Sequence, residues 1–170
     1  MNANKRSITL DMKHPRALEL LGRLATTADV VVQNFRPGVL ARLGFGYDAV
    51  RAIKPDIIYC SISGYGQEGP FSTAPAYDGA VQAVSGLMAV TGQRDGPPTR
   101  VGSSIVDLST AMMASFAIAS ALFRRSVTGE GQHVDVALLD CSIAAMSYIG
   151  QFFLTAGKVS SRIGNQNPTI

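Results

Sequence analysis

The sequence has no tryptophan, only two cysteines and two histidines, and few charges of either sign. Each shortage excludes something. Cys60 and Cys141 lie far apart, with no CxxC and no histidine at metal-ligand spacing, which argues against zinc and against a disulfide framework and fits a reducing cytoplasm. His14 stands before a proline and His133 opens an apolar run. Neither is joined to a serine or cysteine in a nucleophile motif such as G-x-S-x-G, so a triad hydrolase is disfavoured. Fifteen basic and twelve acidic residues give a net charge of +3, scattered singly. Without a basic run or interleaved aromatics, nucleic acid is not an expected partner, while a small anionic ligand suits the balance. No apolar stretch opens the chain as a signal would. The longest uncharged run after Asp107 covers 16 residues and includes four Ser or Thr, short for a membrane span. A cytoplasmic protein that does not cross a membrane is expected.

What is plentiful is apolar residue: 46% of 170, enough for one domain with a substantial core. The order of segments indicates fold class. "SITLD" (7–11) reads as a strand, 15–28 as an amphipathic helix, "DVVVQN" (29–34) as a buried strand, 37–44 and 47–54 as short helices, and 55–63 as a third strand. Alternation of this kind predicts a parallel α/β sheet. A Gly/Pro-rich loop (64–79) precedes a helix at 80–92. A long helix is expected after Asp107 up to about Arg125, a fourth strand at 133–139, and a closing helix at 140–157. The first strand comes at once and the last residues form a loop, so the sequence reads as a piece of a larger α/β protein.

Several motifs invite chemistry. "GYGQEG" (64–69) matches G-x-G-x-x-G, but Pro70 and a polar loop follow where a dinucleotide site needs a helix to begin. "NFRPGV" (34–39) sits where a strand gives way to a helix, a place where Asn34 and Arg36 could meet an anion or simply be solvated. Cys141 reads either as an activated thiol near a helix start or as a buried structural residue. Asp107 is the one charge among the 23 residues between Arg100 and Arg124. It could cap the helix that follows or be a reactive carboxylate held by the helix N-terminus. Asp140 has the same local setting, so spacing does not separate the two readings.

Taken in order, "LDMK", "ADVVVQNFRPGVLARLGFGYDAVRAIKPDIIYCSISGYGQEGP", "AYDGAVQAVSGLM", "TGQRDGPPTRVGSSIVDL" and "TGEGQHVDVALLD" resemble the class III CoA-transferases over nearly the whole chain. That family includes formyl-CoA and carnitine CoA-transferases, with α-methylacyl-CoA racemase as a relative. The resemblance implies a Rossmann-like parallel sheet with flanking helices, belonging to the large domain of an interlocked homodimer. Residues 1–157 would be the central part of that domain, and 158–170 the start of a linker toward a second domain. Coenzyme A and its acyl thioesters would be substrates, with a small carboxylic acid as acceptor and no permanently bound cofactor or metal.

The resemblance also assigns residues. The family's catalytic aspartate matches Asp107, which would carry covalent aspartyl intermediates, with water excluded by the apolar surroundings. CoA contacts match Leu10, Asp11, Lys13, Asn34, Phe35, Arg36, Arg42, Ala76, Tyr77 and Asp78. Gly64 and Gly66 are candidates for the backbone that receives an oxyanion. Some transferases place a basic residue where this chain has Pro75. Racemase relatives carry a histidine where this chain has Tyr77, and a phenol of pKa about 10 is a poor base at neutral pH, which favours transfer. A racemase, or a truncated non-catalytic CoA-binding or interaction domain, remain the alternatives. The segment "AGKVSSRIGNQNP" resembles the dicarboxylate-using branch.

Overall fold

The computed structural model of the protein describes residues 2–166. Its first helix, α1 (Pro15–Thr27), begins with Pro15 at the first helical position, where a missing N–H costs nothing. His14 caps it, Nδ1 accepting from the Arg16 backbone N–H at 3.2 Å. The valine run forms β1 (Val30–Gln33). Two short helices, α2 (Val39–Arg42) and α3 (Tyr47–Ile53), lead to β2 (Ile58–Ser63). After the long loop come α4 (Asp78–Val84), α5 (Leu87–Val90), α6 (Ile105–Thr128), β3 (Gln132–Ala137), α7 (Leu138–Ala145) and α8 (Tyr148–Ala156).

The three strands form a parallel sheet in the order β1-β2-β3, with Val30 opposite Ile58 and Ile58 opposite Gln132. The fold class read from the sequence is therefore present: an α/β layer structure with helices on both faces. The central strand has an almost unbroken apolar start because both of its faces are covered. Ile58 and Cys60 meet Ala114 and Ala121 of α6 on one side, while Ile57 and Tyr59 pack with Val50 of α3 and Ala25 of α1 on the other. Alanines at the α6 contact let a long helix lie close to the sheet. Just before β3 the chain passes so near the backbone of Asp56 and Ile57 that a Cβ on Gly131 would collide with it.

Several expected elements differ. Residues 7–11 are irregular and exposed rather than a strand, because a strand exists only through pairing and no described strand pairs with them. The helix expected at 80–92 is broken at Gly86, which takes φ 87° and separates α4 from α5. The closing helix is also two helices, bent by 83° at Ser147, whose φ is 43°. The end of the fourth expected strand, Leu138 and Leu139, already belongs to α7.

The long helix α6 has 24 residues, about 36 Å. It is long and apolar enough to cross a membrane, a reading that the 16-residue uncharged run had argued against. In this fold it packs on β2, β3 and α7. Its last turn is tied to the sheet by Arg125, which pairs with Asp29 Oδ1 at 2.8 Å and donates to the backbone carbonyls of Asp29 and Asp56 at 3.3 Å. The segment expected to open a linker at 158 is docked as far as it is described. Arg162 donates to Gly96 O and Ala89 O at 3.1 Å, and Gly164 N–H to Gly92 O at 2.9 Å. Residues 167–170 lie outside the described residues.

Candidate active site

Where β1 and β2 end, the chain opens a cleft of about 540 Å³. Strand ends in a parallel sheet leave such a hollow because successive connections depart to opposite faces. Asn34, Phe35 and Arg36 form one wall, Ile62 to Gly64 the floor, and the loop from Ser72 to Asp78 a second wall. The first turns of α6, with Asp107, Thr110 and Ala111, close the third side. Asn34 is held in place by donating from Nδ2 to the Ile62 carbonyl at 2.9 Å. Gly64 allows the floor and the far wall to meet, since any Cβ there would overlap Ala76 Cβ.

The start of α6 decides what Asp107 is. The helix begins at Ile105 with Ser104 as its N-cap residue, so Asp107 lies inside the first turn and is not the cap. The first four N–H groups at such a start lack helical partners. Ile105 N–H donates to Ser103 O at 2.8 Å, and those of Val106 and Asp107 donate to Asp78 Oδ2 at 2.8 and 3.1 Å. The capping carboxylate thus comes from α4, 29 residues earlier, and its residue is only 8% exposed. Asp107's own carboxylate accepts no hydrogen bond among the described residues. It stands at the cleft mouth, and the walls that crowd it push its pKa above the ordinary carboxylate value, with the negative charge of Asp78 adding to the shift.

Of the residues singled out from the sequence, the cleft gathers Asn34, Phe35, Arg36, Gly64, Ala76, Tyr77, Asp78 and Asp107. It does not gather Leu10, Asp11, Lys13, Arg42 or Gly66. Asp11 turns back on its own chain, Oδ1 accepting from the Lys13 N–H at 3.0 Å. Arg42 is exposed at the end of α2. Gly66, at φ 88°, neighbours Asp135 outside the cleft, so only Gly64 of the two glycines lines it. Asp140, like Asp107, proves to lie inside its helix's first turn. Cys141 is buried, and burial pushes its thiol pKa up, so it is packing rather than an activated nucleophile. His133 is engaged elsewhere, 2.8 Å from Ser61 Oγ and stacked on Tyr47 with ring centroids 4.8 Å apart. Thr110 and the loop residues Ser72 and Ala74 line the cleft without having been singled out. Only Asp78-x-x-x-Gln82, an i, i+4 polar pair, hinted at a further network beside it.

The arrangement offers one free carboxylate, one arginine and two exposed aromatics, Phe35 and Tyr77, around a space of ligand size. Comparison with known proteins agrees with the sequence motifs. The pattern described as CoA-transferase family III matches residues 1–170. Succinate–glutarate CoA-transferase of Agrobacterium fabrum is 42% identical over 169 residues, 99% of this chain and 42% of that protein. Acetyl-CoA:oxalate CoA-transferase of Acetobacter aceti is 44% identical over 99% of the chain and 43% of its own length. A crystal structure of a CAIB/BAIF family protein from Brucella suis superposes with a TM-score of 0.94 at 41% identity, covering 99% of this chain and 45% of that one. The chain spans less than half the length of these relatives. With the motifs, the cleft and the fold in agreement, the chain belongs to CoA-transferase family III.

Proposed function

We propose that this chain carries the nucleophile and much of the CoA site of an acyl-CoA:carboxylate CoA-transferase, with Asp107 as the nucleophile. One observation carries the reading: Asp78 satisfies the helix start, which leaves the Asp107 carboxylate unbonded and facing a ligand-sized cleft. An Asp107 oxygen attacks the thioester carbonyl of the donor. The C–S bond breaks, CoA leaves as thiolate, and a mixed anhydride joins Asp107 to the donor acyl group. The thiolate then attacks the Asp107 carbonyl, forming an aspartyl-CoA thioester and expelling the donor acid with an oxygen that belonged to Asp107. An acceptor carboxylate attacks that thioester and displaces the thiolate, which attacks the acceptor carbonyl of the new anhydride. Acceptor-CoA departs, and Asp107 regains its second oxygen from the acceptor. Covalent passage of this kind replaces one difficult exchange by easier ones.

Gly64 is the proposed oxyanion contact. Asn34, Phe35, Arg36, Ala76 and Tyr77 are proposed to hold CoA within the cleft, and Leu10, Asp11, Lys13 and Arg42 to meet parts of it beyond. Asp78, the other contact the resemblance assigned, has both carboxylate oxygens taken up by Gln82 and the start of α6. The acid pair is proposed to be a short dicarboxylate system with succinyl-CoA as donor, as the name of the Agrobacterium relative suggests. Residues 1–157 are read as the central part of a large domain, and the assembled protein as a cytoplasmic homodimer.

An isotope tracer tests the route. With a dicarboxylate acceptor labelled with oxygen-18 in its carboxylates, the succinate released in a single turnover is expected to be unlabelled, its new oxygen coming from Asp107, while repeated turnover delivers one labelled oxygen to each succinate. Labelled succinate in the first turnover, as direct attack of the acceptor on succinyl-CoA would give, or unlabelled succinate after many turnovers would overturn the covalent route.

A further inference from the structure

The carboxylate of Asp78 can cap α6 only if its other oxygen is held, and the residue that holds it is Gln82. This side chain is fully buried, one turn along α4 from Asp78. Its Nε2 donates to Asp78 Oδ1 at 2.5 Å and lies 3.5 Å from Ser103 O. Its Oε1 accepts from the Val101 N–H at 2.9 Å. One amide thus joins α4, the strand of chain entering α6, and the capping carboxylate. A buried glutamine is rare unless its polar atoms are matched, and here both ends are.

We propose that Gln82 is a positioning residue for Asp107, acting through Asp78 on the first turn of α6. The inference rests on the reading of Asp107 as nucleophile. It follows from the donor and acceptor count. Asp78 Oδ1 needs a donor, and Val101 N–H needs an acceptor. A primary amide supplies both in one plane, whereas a carboxylate supplies only acceptors and a leucine neither. Without that clamp Asp78 is free to turn, the N–H groups of Val106 and Asp107 lose a fixed acceptor, and the reacting carboxylate loses its fixed direction toward the cleft. Misplacement on that scale costs roughly ten- to a hundredfold in rate.

The chemistry also predicts a distinctive pH response for Gln82→Glu. A neutral acid can still donate an O–H to Asp78 and accept from Val101, but an ionised one repels Asp78. The charged groups around this position are Asp78 on the same helix, Asp107 on α6 and Arg100, whose side chain lies against Gly79. The facing helix α7 offers Ser142, bonded to Ser85 Oγ at 2.8 Å. With two carboxylates and burial opposing ionisation, the substituted carboxyl is neutral at low pH and ionises as pH rises.

The test uses the whole protein and the rate of acylation of Asp107 by succinyl-CoA, read by rapid-quench mass spectrometry. The ratio of the Gln82→Glu rate to the parent rate is expected to approach one at low pH and to fall about tenfold or more with rising pH. Gln82→Leu is expected to be slow at every pH, with kcat reduced and KM for succinyl-CoA nearly unchanged. A pH-independent ratio for Gln82→Glu, or a leucine variant that reacts at the parent rate, overturns the proposal. Hydrogen exchange separates this failure from failure of the nucleophile itself. If the parent forms no adduct, the reading of Asp107 fails. The claim that Gln82 fixes the helix start then stands on faster exchange of the Val106 and Asp107 amides in the leucine variant, with the middle of α6 unchanged. Equal exchange in parent and variant overturns it.

Discussion

Two carboxylates bordering one cleft have opposite tasks. Asp78 is bound on both oxygens and buried, while Asp107 is unbonded and open. The raised pKa of Asp107 has two measurable consequences. As the proposed nucleophile, Asp107 must be ionised, so the acid limb of the acylation rate is expected to fall at a pH above the ordinary carboxylate value. A titration of the limb at or below that value would contradict this. Stability should respond with the opposite sense. A folded-state pKa above the unfolded value means that Asp107 favours the fold below the unfolded pKa, and that this contribution is lost as pH rises through the folded pKa. Asp107→Asn is therefore expected to be slightly more stable than the parent at neutral pH, by less than about 1 kcal/mol for a screened site. Thermal melts should show that advantage shrinking as the pH is lowered. The sequence singled out Asp107 because it is the lone charge in an apolar stretch. Its exclusion from the cap was not legible there, since the real cap lies 29 residues away and local spacing carries no trace of it.

At the scale of elements, the sequence indicated the alternating α/β order and most helices, because burial on both faces of β2 leaves a continuous apolar run and the apolar stripe of α1 a helical period. It did not indicate breaks set by single dihedrals, such as the positive φ of Gly86 and of Ser147, nor the fate of residues 7–11, which depends on a pairing partner. The junction of α6 with the strand beginnings was equally hidden. Arg125 there gathers Asp29 and two backbone carbonyls from segments 96 and 69 residues away. Arg125→Met is expected to cost about 1–3 kcal/mol, chiefly through carbonyls left without a donor, and urea unfolding measures it. A loss no larger than that of Arg124→Met, whose partner Glu130 is exposed, would show the anchor to be dispensable.

For the molecule as a whole, the sheet is covered on both faces, yet α6 turns Met112, Phe116, Phe123 and Val127 outward, each 70–74% exposed. An apolar row on a helix with alanines on its inner side fits the proposed homodimer, in which a second copy would cover it. Phe116→Asp is expected to shift sedimentation of the whole protein toward the monomer, and an unchanged dimer would remove α6 from the interface. Composition could indicate an excess of apolar residues but not which ones remain outside. The functional reading rests on one covalent event, and intact-mass spectrometry reads it directly. After mixing with succinyl-CoA, the parent is expected to gain a hydroxylamine-sensitive adduct that maps to Asp107, while Asp107→Ala gains none. An adduct of equal yield on the alanine variant, or on another residue of the parent, would contradict the account.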